Sequence, residues 1–500
     1  MSGRGLGGLL DEVVAAPDEP LVHEGIDRQV TRAAVGASVD ELASLLSGLG
    51  VGSGHAVVVA LPNGAAIVVA LFAVWRVGAV YMPVNPRFSP GEVAHVVDEV
   101  GPVVAVCTPD LADRFGLPVI VSGDGGWSTD AVGPVDGDRR DEDIAAVSFT
   151  SGTTGRPKPV LMRHSGVLEL LDGVIGSLRT KPVDGPPRPP MPNLIPVSMS
   201  LWAGIYQVLF AFRVGAPIVV LARFETAAFA EAVRHFGIRS TVLPPPAMTM
   251  LSDDTAITDL SPLRYVRSIS SPLSPLQARR FRDRFGIAVL NGWGQTEIGG
   301  EIVGWSAADS KAFGDTKLGA VGRPHRGVTV RAVDPDGVDV GPDEAGELWV
   351  RTPALGAGYA DGADLSDRMS PDGWFRTGDV GRVDADGFVW IEGRVSDMIN
   401  RGGLKVFPAE VAEVLLLSPA LADAAVVGVP DDRLGEVPWA FVVPREGGSV
   451  PEDDALRELC REHLAPYKVP VRFVAVDALP RNDIGKVLGH DLVDRARSLE

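Results

Sequence analysis

Residues 148–160 read SFTSGTTGRPKPV, and their types and spacing suit the holding of phosphate. Thr150, Ser151, Gly152, Thr153, Thr154 and Gly155 follow one another, and Lys158 comes soon after. The glycines let the backbone bend and turn N–H groups toward an anion. The hydroxyls add donors, and Lys158 adds a point charge that Pro157 helps to aim. The loop follows a buried, strand-like run, AAVSFT, which would hold its start in place.

Two common phosphate loops are excluded. A Walker A loop needs Gly, four residues, then Gly-Lys-Ser/Thr. Here Lys158 follows Pro157, and no Ser or Thr comes next. The Gly485, Lys486 pair is followed by Val487, with Pro480 where the first glycine should stand. No G-x-G-x-x-G follows a strand, so a Rossmann dinucleotide site is unsupported as well.

The elements that must position this loop are legible in the hydrophobic pattern. Apolar strand-like runs at 55–61, 103–107, 117–122, 144–150, 216–222, 240–244 and 265–270 alternate with helical patterns at 64–77, 226–237 and 275–286. Such alternation predicts a large α/β domain with mainly parallel sheets. From about Val321 the runs GVTVRAVD, GELWVRT and GFVWIEGR are short and alternating, which predicts an antiparallel β subdomain. A smaller α+β domain follows, with a boundary near residues 395–397. The expected division is 1–395, carrying the nucleotide and acyl sites, and 396–500, a mobile domain. The Pro-rich stretch 181–192 reads as a surface loop.

The chain has 500 residues, too many for one compact core. Its formal net charge of −19 argues against nucleic acid or an anionic membrane as partner. The most apolar segment, GAAIVVALFAVW, is too short to span a bilayer and reads as a buried helix. The N-terminal stretch lacks the features of a signal peptide. Cys107 and Cys460 lie far apart, and two buried free thiols in a reducing cytoplasm is the expectation.

The phosphate loop does not stand alone. GWGQTE (292–297), GELWVR with a later GY (346–359), GWFRTGDVG (373–381), GRVSDMINRGGLKVFPAEVAEVL (393–415) and LPRNDIGKVLGHDL (479–492) occur in order along the chain. Together with FTSGTTGRPKPV they resemble the motifs of the adenylate-forming superfamily, which holds acyl-CoA synthetases, adenylation domains and luciferases. The resemblance covers most of the chain. It implies ATP-dependent activation of a carboxylic acid to an acyl-adenylate, with ATP, Mg²⁺ and coenzyme A as the small-molecule partners.

The resemblance also implies roles. Lys486 would sit between the carboxylate and the α-phosphate, Thr296 would donate to the α-phosphate, and Glu297 would help hold Mg²⁺. A carboxylate beside a polyphosphate is repulsive unless a cation intervenes, so a metal is implied. Thr150, Ser151, Gly152, Thr153, Thr154, Gly155 and Lys158 would cradle the outer phosphates. Trp293, where Tyr is more usual, would face the adenine. Asp379 would accept from the ribose, and Arg394 would contact ribose or phosphate. Gly402, Gly403 and Leu404 would line a narrow channel for coenzyme A, with Ser396 as the hinge. Met199, Trp202, Pro245, Ser270, Ser271, Gly292 and Gly299 fall in or beside the stretches expected to form the acyl pocket: 198–206, 244–248, 268–272 and 298–303.

The sequence departs from the family pattern in four places. Pro159 replaces a glycine at the end of the phosphate loop and removes an N–H. Ser396 replaces the usual Asp or Lys of the hinge. Met199 stands where many relatives carry His, and Ser270 and Ser271 stand where small Gly or Ala is common. The pocket stretches are mostly apolar or small, with no basic residue clearly poised for a second carboxylate. A medium-sized apolar or aromatic monocarboxylic acid fits them. Two alternatives stay open: an adenylating enzyme whose acceptor is a carrier-protein thiol, an amine or a small nucleophile such as nitrite, and a nucleotide-binding protein without turnover. The oligomeric state is also open.

Overall fold

The computed structural model describes residues 5–13, 17–123, 125–150, 158–178, 190–269, 271, 273–445, 447–481 and 487–499, and of Thr150 the backbone alone. Its largest sheet has seven strands in the order Gly126–Ser128, Val119–Gly123, Val104–Cys107, Ala56–Ala60, Val80–Pro83, Ile144–Thr150 and Lys158–Arg163. The inner strands are parallel, and each edge strand is antiparallel to its neighbour. Ala56–Ala60 is buried on both faces, which is why it reads as an unbroken apolar run. Helix Ala65–Arg76 is the apolar segment expected to be internal. It packs against the sheet, with Trp75 donating to the Ala145 carbonyl at 2.7 Å and Phe72 stacked on Phe212.

Two smaller sheets complete the α/β part. Asn193–Ile195, Ile218–Val220 and Pro20–Glu24 are parallel, and Arg28–Thr31 closes the edge as a hairpin partner. Ser240–Leu243, Tyr265–Ser268 and Ala288–Asn291 form a wholly parallel sheet. Every expected element of the α/β part is present, with ends shifted by at most two residues.

Next comes a short antiparallel sheet of Trp293–Gln295, Gly300–Gly304 and Arg323–Pro324. The pattern of the sequence did not announce it. The antiparallel subdomain comes after it as Thr329–Val333, Gly346–Arg351, Phe375–Val383 and Val389–Arg394. Residues 395–397 form an exposed turn. Beyond it Leu404–Val406, Ile399–Arg401, Gly435–Pro444, Leu421–Asp431 and Arg472–Ala475 make a sheet of their own. Helices Pro408–Leu415, Asp453–His463 and Gly489–Arg497 belong to the same region. Cys107 and Cys460 are free and buried. Among the described residues no helix is long and apolar enough to cross a membrane.

Candidate active site

Parallel strands deliver their C-terminal loops to one edge of a sheet, and ligands of open α/β sheets bind there. In the wholly parallel sheet, the strands ending at Leu243, Ser268 and Asn291 bring Pro245, Ser271 and Gly292 to the same side. Pro245 opens helix Pro245–Asp253, and its carbonyl accepts from Gln277 Nε2 at 2.9 Å. The strand Trp293–Gln295 runs directly out of this edge, so the expected nucleotide residues begin where the sheet stops.

Thr296 and Glu297 lie on the one-turn helix Thr296–Ile298, half-buried. Gly299 ends the turn at φ +88°, in the left-handed region, and its N–H returns to the Thr296 carbonyl at 3.1 Å. A Cβ at Gly299 would lie 2.3 Å from the Ala354 Cβ, so a side chain is excluded there by space as well as by conformation. The turn is tied from both sides. Trp202 Nε1 donates to the Gly299 carbonyl at 2.9 Å, and Gly356 N donates to the Glu297 carbonyl at 2.8 Å.

The Glu297 carboxylate does not stand free. Arg368 Nη1 donates to its Oε1 at 2.9 Å. The same guanidinium reaches Gln295 Oε1 at 3.3 Å and the Thr377 carbonyl at 2.8 Å. Tyr359 lies beside the pair. Burial pushes its phenol up, the Glu297 charge adds to that, and a hydrogen bond from Arg368 opposes it. Lys158 extends over the Tyr359 ring, 5.6 Å from its centroid. The stem of the phosphate loop is thereby joined to the Glu297 turn, and backbone bonds reinforce the joint: Leu161 N to Gly358 O, Ala357 N to Leu161 O, and Ala360 N to Pro159 O. Pro159, with no N–H to give, uses its carbonyl in this seam.

Asp379 is the hub of the other half. It is 5 % exposed. Trp293 Nε1 donates to its Oδ2 at 2.7 Å, Gln295 Nε2 to the same oxygen at 2.9 Å, and Arg394 Nε to Oδ1 at 2.9 Å. Asp379 and Arg394 are cross-strand partners in the antiparallel ladder, which fixes their approach. The Trp293 indole packs in a cluster with Leu170, Ile302 and Val321, so its polar contact is made by its edge, to Asp379. Gln295 bridges the two halves, its oxygen accepting from Arg368 and its nitrogen donating to Asp379.

Some of the residues expected to form the acyl pocket lie beside a buried polar cluster. Met199 is buried, with its N–H held by Asn63 Oδ1 at 2.8 Å. Trp202 is 7 % exposed. Beside them Glu301 is paired with Arg267 and hydrogen-bonded to His325 at 3.2 Å. Burial pushes the Glu301 carboxyl up, but the Arg267 charge and the His325 contact outweigh it and hold it at about 2. A Cβ on Gly292 would lie 2.8 Å from the Glu301 Cδ, so Gly292 makes room for this side chain. Tyr206 Oη and Ser268 Oγ are buried with no hydrogen-bond partner among the described residues. Arg267 is a basic residue beside the expected pocket stretches, and its charge is matched by Glu301.

Gly402 and Gly403 form the two-residue loop of the hairpin Ile399–Arg401 and Leu404–Val406, at φ +60° and +89°. Positive φ at both positions is what such a tight hairpin turn demands. Leu404 is 49 % exposed. Ser396 is exposed, its hydroxyl donating to Asp397 Oδ1 at 2.8 Å. Ser151, Gly152, Thr153, Thr154, Gly155, Ser270 and Lys486 lie outside the described residues, as does the Thr150 side chain.

Arg368, Tyr359, Gln295, Arg267, Glu301 and Tyr206 were not singled out individually in the sequence. Arg267 did carry a signal, as a charge inside the strand-like run 265–270, whereas Glu301 lies in a strand the pattern did not announce. Arg368 carried none, because its significance comes from a contact with a residue 71 positions away.

No cluster of three or more His, Cys, Asp or Glu suited to a metal occurs among the described residues. Glu297 keeps Oε2 without a hydrogen bond to them. One carboxylate oxygen fits Mg²⁺, which is commonly held by one or two carboxylates together with substrate phosphates. The arrangement can therefore accept ribose hydroxyls at Asp379, anchor a cation at Glu297 and present Lys158 to phosphate.

Comparison with known proteins identifies the family. The family model for AMP-binding enzymes matches residues 10–360, and the model for the AMP-binding enzyme C-terminal domain matches 410–486. The chain is 32 % identical to 4-coumarate–CoA ligase 5 of Oryza sativa subsp. japonica, over 90 % of this chain and 86 % of the relative. It is 29 % identical to peroxisomal OPC-8:0-CoA ligase 1 of Arabidopsis thaliana, over 92 % of this chain and 87 % of the relative. Among solved structures it is similar to the amide bond synthetase McbA from Marinactinospora thermotolerans, with a TM-score of 0.84 and 28 % identity over 98 % of this chain and 99 % of that one.

Proposed function

This chain belongs to the AMP-binding enzyme family, and from that premise we propose that it joins a carboxylic acid to coenzyme A at the expense of ATP. In the first half-reaction a carboxylate oxygen bonds to the α-phosphorus and the bond to the β-phosphate oxygen breaks, releasing pyrophosphate. In the second the thiolate of coenzyme A attacks the acyl carbon and AMP leaves. The observation that carries this reading is the linked pair of carboxylates, Asp379 for ribose and Glu297 for the phosphate end, joined through Gln295 and Arg368.

Each role follows from charge. Asp379 accepts from the ribose and is held by Trp293, Gln295 and Arg394. Lys158, Thr150, Ser151, Thr153 and Thr154 hold the outer phosphates. Thr296 and Lys486 meet the charge that develops at the α-phosphate, where preorganised donors contribute most to catalysis. A divalent cation, when bound at Glu297, neutralises phosphate charge. The working division is 1–395 for adenylation and 396–500 for a mobile domain that carries Lys486, with Ser396 at the pivot and Gly402, Gly403 and Leu404 lining the path of coenzyme A. The buried free thiols support a reducing compartment, and the cytoplasm is the proposed one.

The acid is medium-sized and apolar or aromatic. With Arg267 matched by Glu301, the pocket offers no spare positive charge to a second carboxylate. A second reading, an amine as acceptor, is favoured by one observation, the full-length match to an amide bond synthetase.

Both readings are tested together. The purified protein is incubated with MgATP and a pool of carboxylic acids, with coenzyme A, with a pool of amines, or with neither, and products are read by mass spectrometry. A thioester formed only with coenzyme A is expected. An amide formed in preference to a thioester would establish the second reading. Absence of any adenylate-derived product in wild type, at the level of a Lys486→Ala control, would overturn both.

A further inference from the structure

Arg368 has no assigned part in the reaction, yet among the described residues it is the most heavily hydrogen-bonded cation of the nucleotide site. It ends the short helix Ser366–Arg368, and its side chain turns inward. Nη1 donates to Glu297 Oε1 at 2.9 Å, Nη2 to the Thr377 carbonyl at 2.8 Å and to Gln295 Oε1 at 3.3 Å, and Nε to the Arg376 carbonyl at 3.1 Å. The guanidinium also lies over the Phe375 ring, 4.4 Å from its centroid. A planar fork held at both ends and on one face is a rigid fixture rather than a wandering surface charge.

Its position answers a difficulty in the site. Glu297 is a carboxylate with only 12 % of its side chain exposed, and under the reading above it faces a polyphosphate. Like charges that close repel, and partial burial strengthens the repulsion. Arg368 occupies Oε1 and leaves Oε2 without a hydrogen bond among the described residues. The guanidinium can therefore stay in place whether or not a metal is present.

Resting on the nucleotide-site reading, we propose that Arg368 is a positioning residue that acts as a resident counter-cation for Glu297, so that the polyphosphate end of ATP is tolerated before a divalent cation arrives. Through Gln295, which gives one end of its amide to Arg368 and the other to Asp379, the same residue sets the orientation of the ribose acceptor. The two duties differ in what they predict. A role in orientation alone affects AMP and ATP equally. Charge compensation affects ATP without metal far more than AMP, because AMP lacks the outer phosphates.

The experiment is isothermal titration calorimetry on the full chain with AMP, with ATP in chelator, and with MgATP. Arg368→Met keeps the length and removes the charge. It is expected to weaken metal-free ATP by about tenfold or more and AMP by less than about threefold, with MgATP between them. Arg368→Lys should recover most of the metal-free ATP affinity. Glu297→Gln, nearly isosteric and independent of whether Arg368→Met folds well, should tighten metal-free ATP and shrink the advantage that Mg²⁺ confers. Equal losses for AMP and ATP in Arg368→Met, or an unchanged metal advantage in Glu297→Gln, would overturn the inference while leaving the nucleotide site intact. If wild type binds neither AMP nor ATP, the nucleotide-site reading fails and the inference with it.

Discussion

Replacing Asp379 by Asn keeps the shape of the side chain and removes one of its two acceptors. The buried carboxylate receives Trp293 and Gln295 on Oδ2 and Arg394 on Oδ1. An amide can serve only one side. If its oxygen faces Trp293 and Gln295, its NH₂ group confronts Arg394, and a charge-assisted bond is lost. If it turns the other way, two buried donors are orphaned, at about 1–3 kcal/mol each. The first orientation is the cheaper. A hydrogen bond to a charged group contributes about 1.5–3 kcal/mol, and the partial exposure of Arg394 sets the cost in stability near the lower end. Ribose hydroxyls lose the same charged acceptor. At about 1.4 kcal/mol per decade, that loss weakens AMP by about 10- to 150-fold. Calorimetric titration of AMP gives the affinity, and urea unfolding gives the stability. AMP affinity within about twofold of wild type, in a variant that unfolds cooperatively, would refute the assignment of Asp379 to the nucleotide.

Three further outcomes rest on the same geometry. Glu301→Gln leaves Arg267 buried without its countercharge and should destabilise the fold by about 3–5 kcal/mol, read as a lowered urea midpoint. Glu301 titrates at about 2 in the fold, below the ordinary value, so its contribution is intact above the ordinary value and lost as pH falls toward 2; the variant should lack that acid-dependent loss. Tyr206→Phe removes a buried hydroxyl that has no partner among the described residues, so stability should hold or rise while the ranking of acids carrying polar ring substituents changes in a substrate panel. Glu413 is raised to about 7, by burial first and by Glu410 second, so the native state holds its proton more tightly than the unfolded chain. Stability should therefore fall as pH rises from the ordinary carboxylate range to about 7, and Glu413→Gln should flatten that slope in pH-dependent melting.

The parts of the fold that were legible are those whose physics is local. Ala56–Ala60 and helix Ala65–Arg76 announce themselves because strands and helices buried on all sides must be apolar throughout. The strand Pro20–Glu24 does not, because it is short and its parallel partner, Ile218–Val220, lies some two hundred residues away. The same division holds in the site. Asp379 and Arg394 could be singled out through motifs, and the ladder makes them neighbours. Arg368 could not, since nothing near it in the sequence distinguishes it from a solvated arginine. Arg267 was visible as a charge in a strand-like run and Glu301 was not, its strand being unannounced, and only their side-chain contact shows that each answers the other.

The ladder rung that pairs Asp379 with Arg394 also has a mechanical meaning. Val395 N, at the start of the turn 395–397, still bonds back to the Gly378 carbonyl at 2.8 Å, and Asp397 N closes the turn on the Arg394 carbonyl at 3.2 Å. The strand is clamped up to the last residue before the proposed pivot, like a beam fixed in a wall. With Ser396 as the proposed pivot, rotation of the C-terminal part falls first on the torsions just beyond the clamp, and Phe407, packed against Gly393, would have to leave the strand. On the proposed reading, a substitution at Ser396 is expected to alter the swing, one at Asp379 the grip on the nucleotide, and one at Phe407 both.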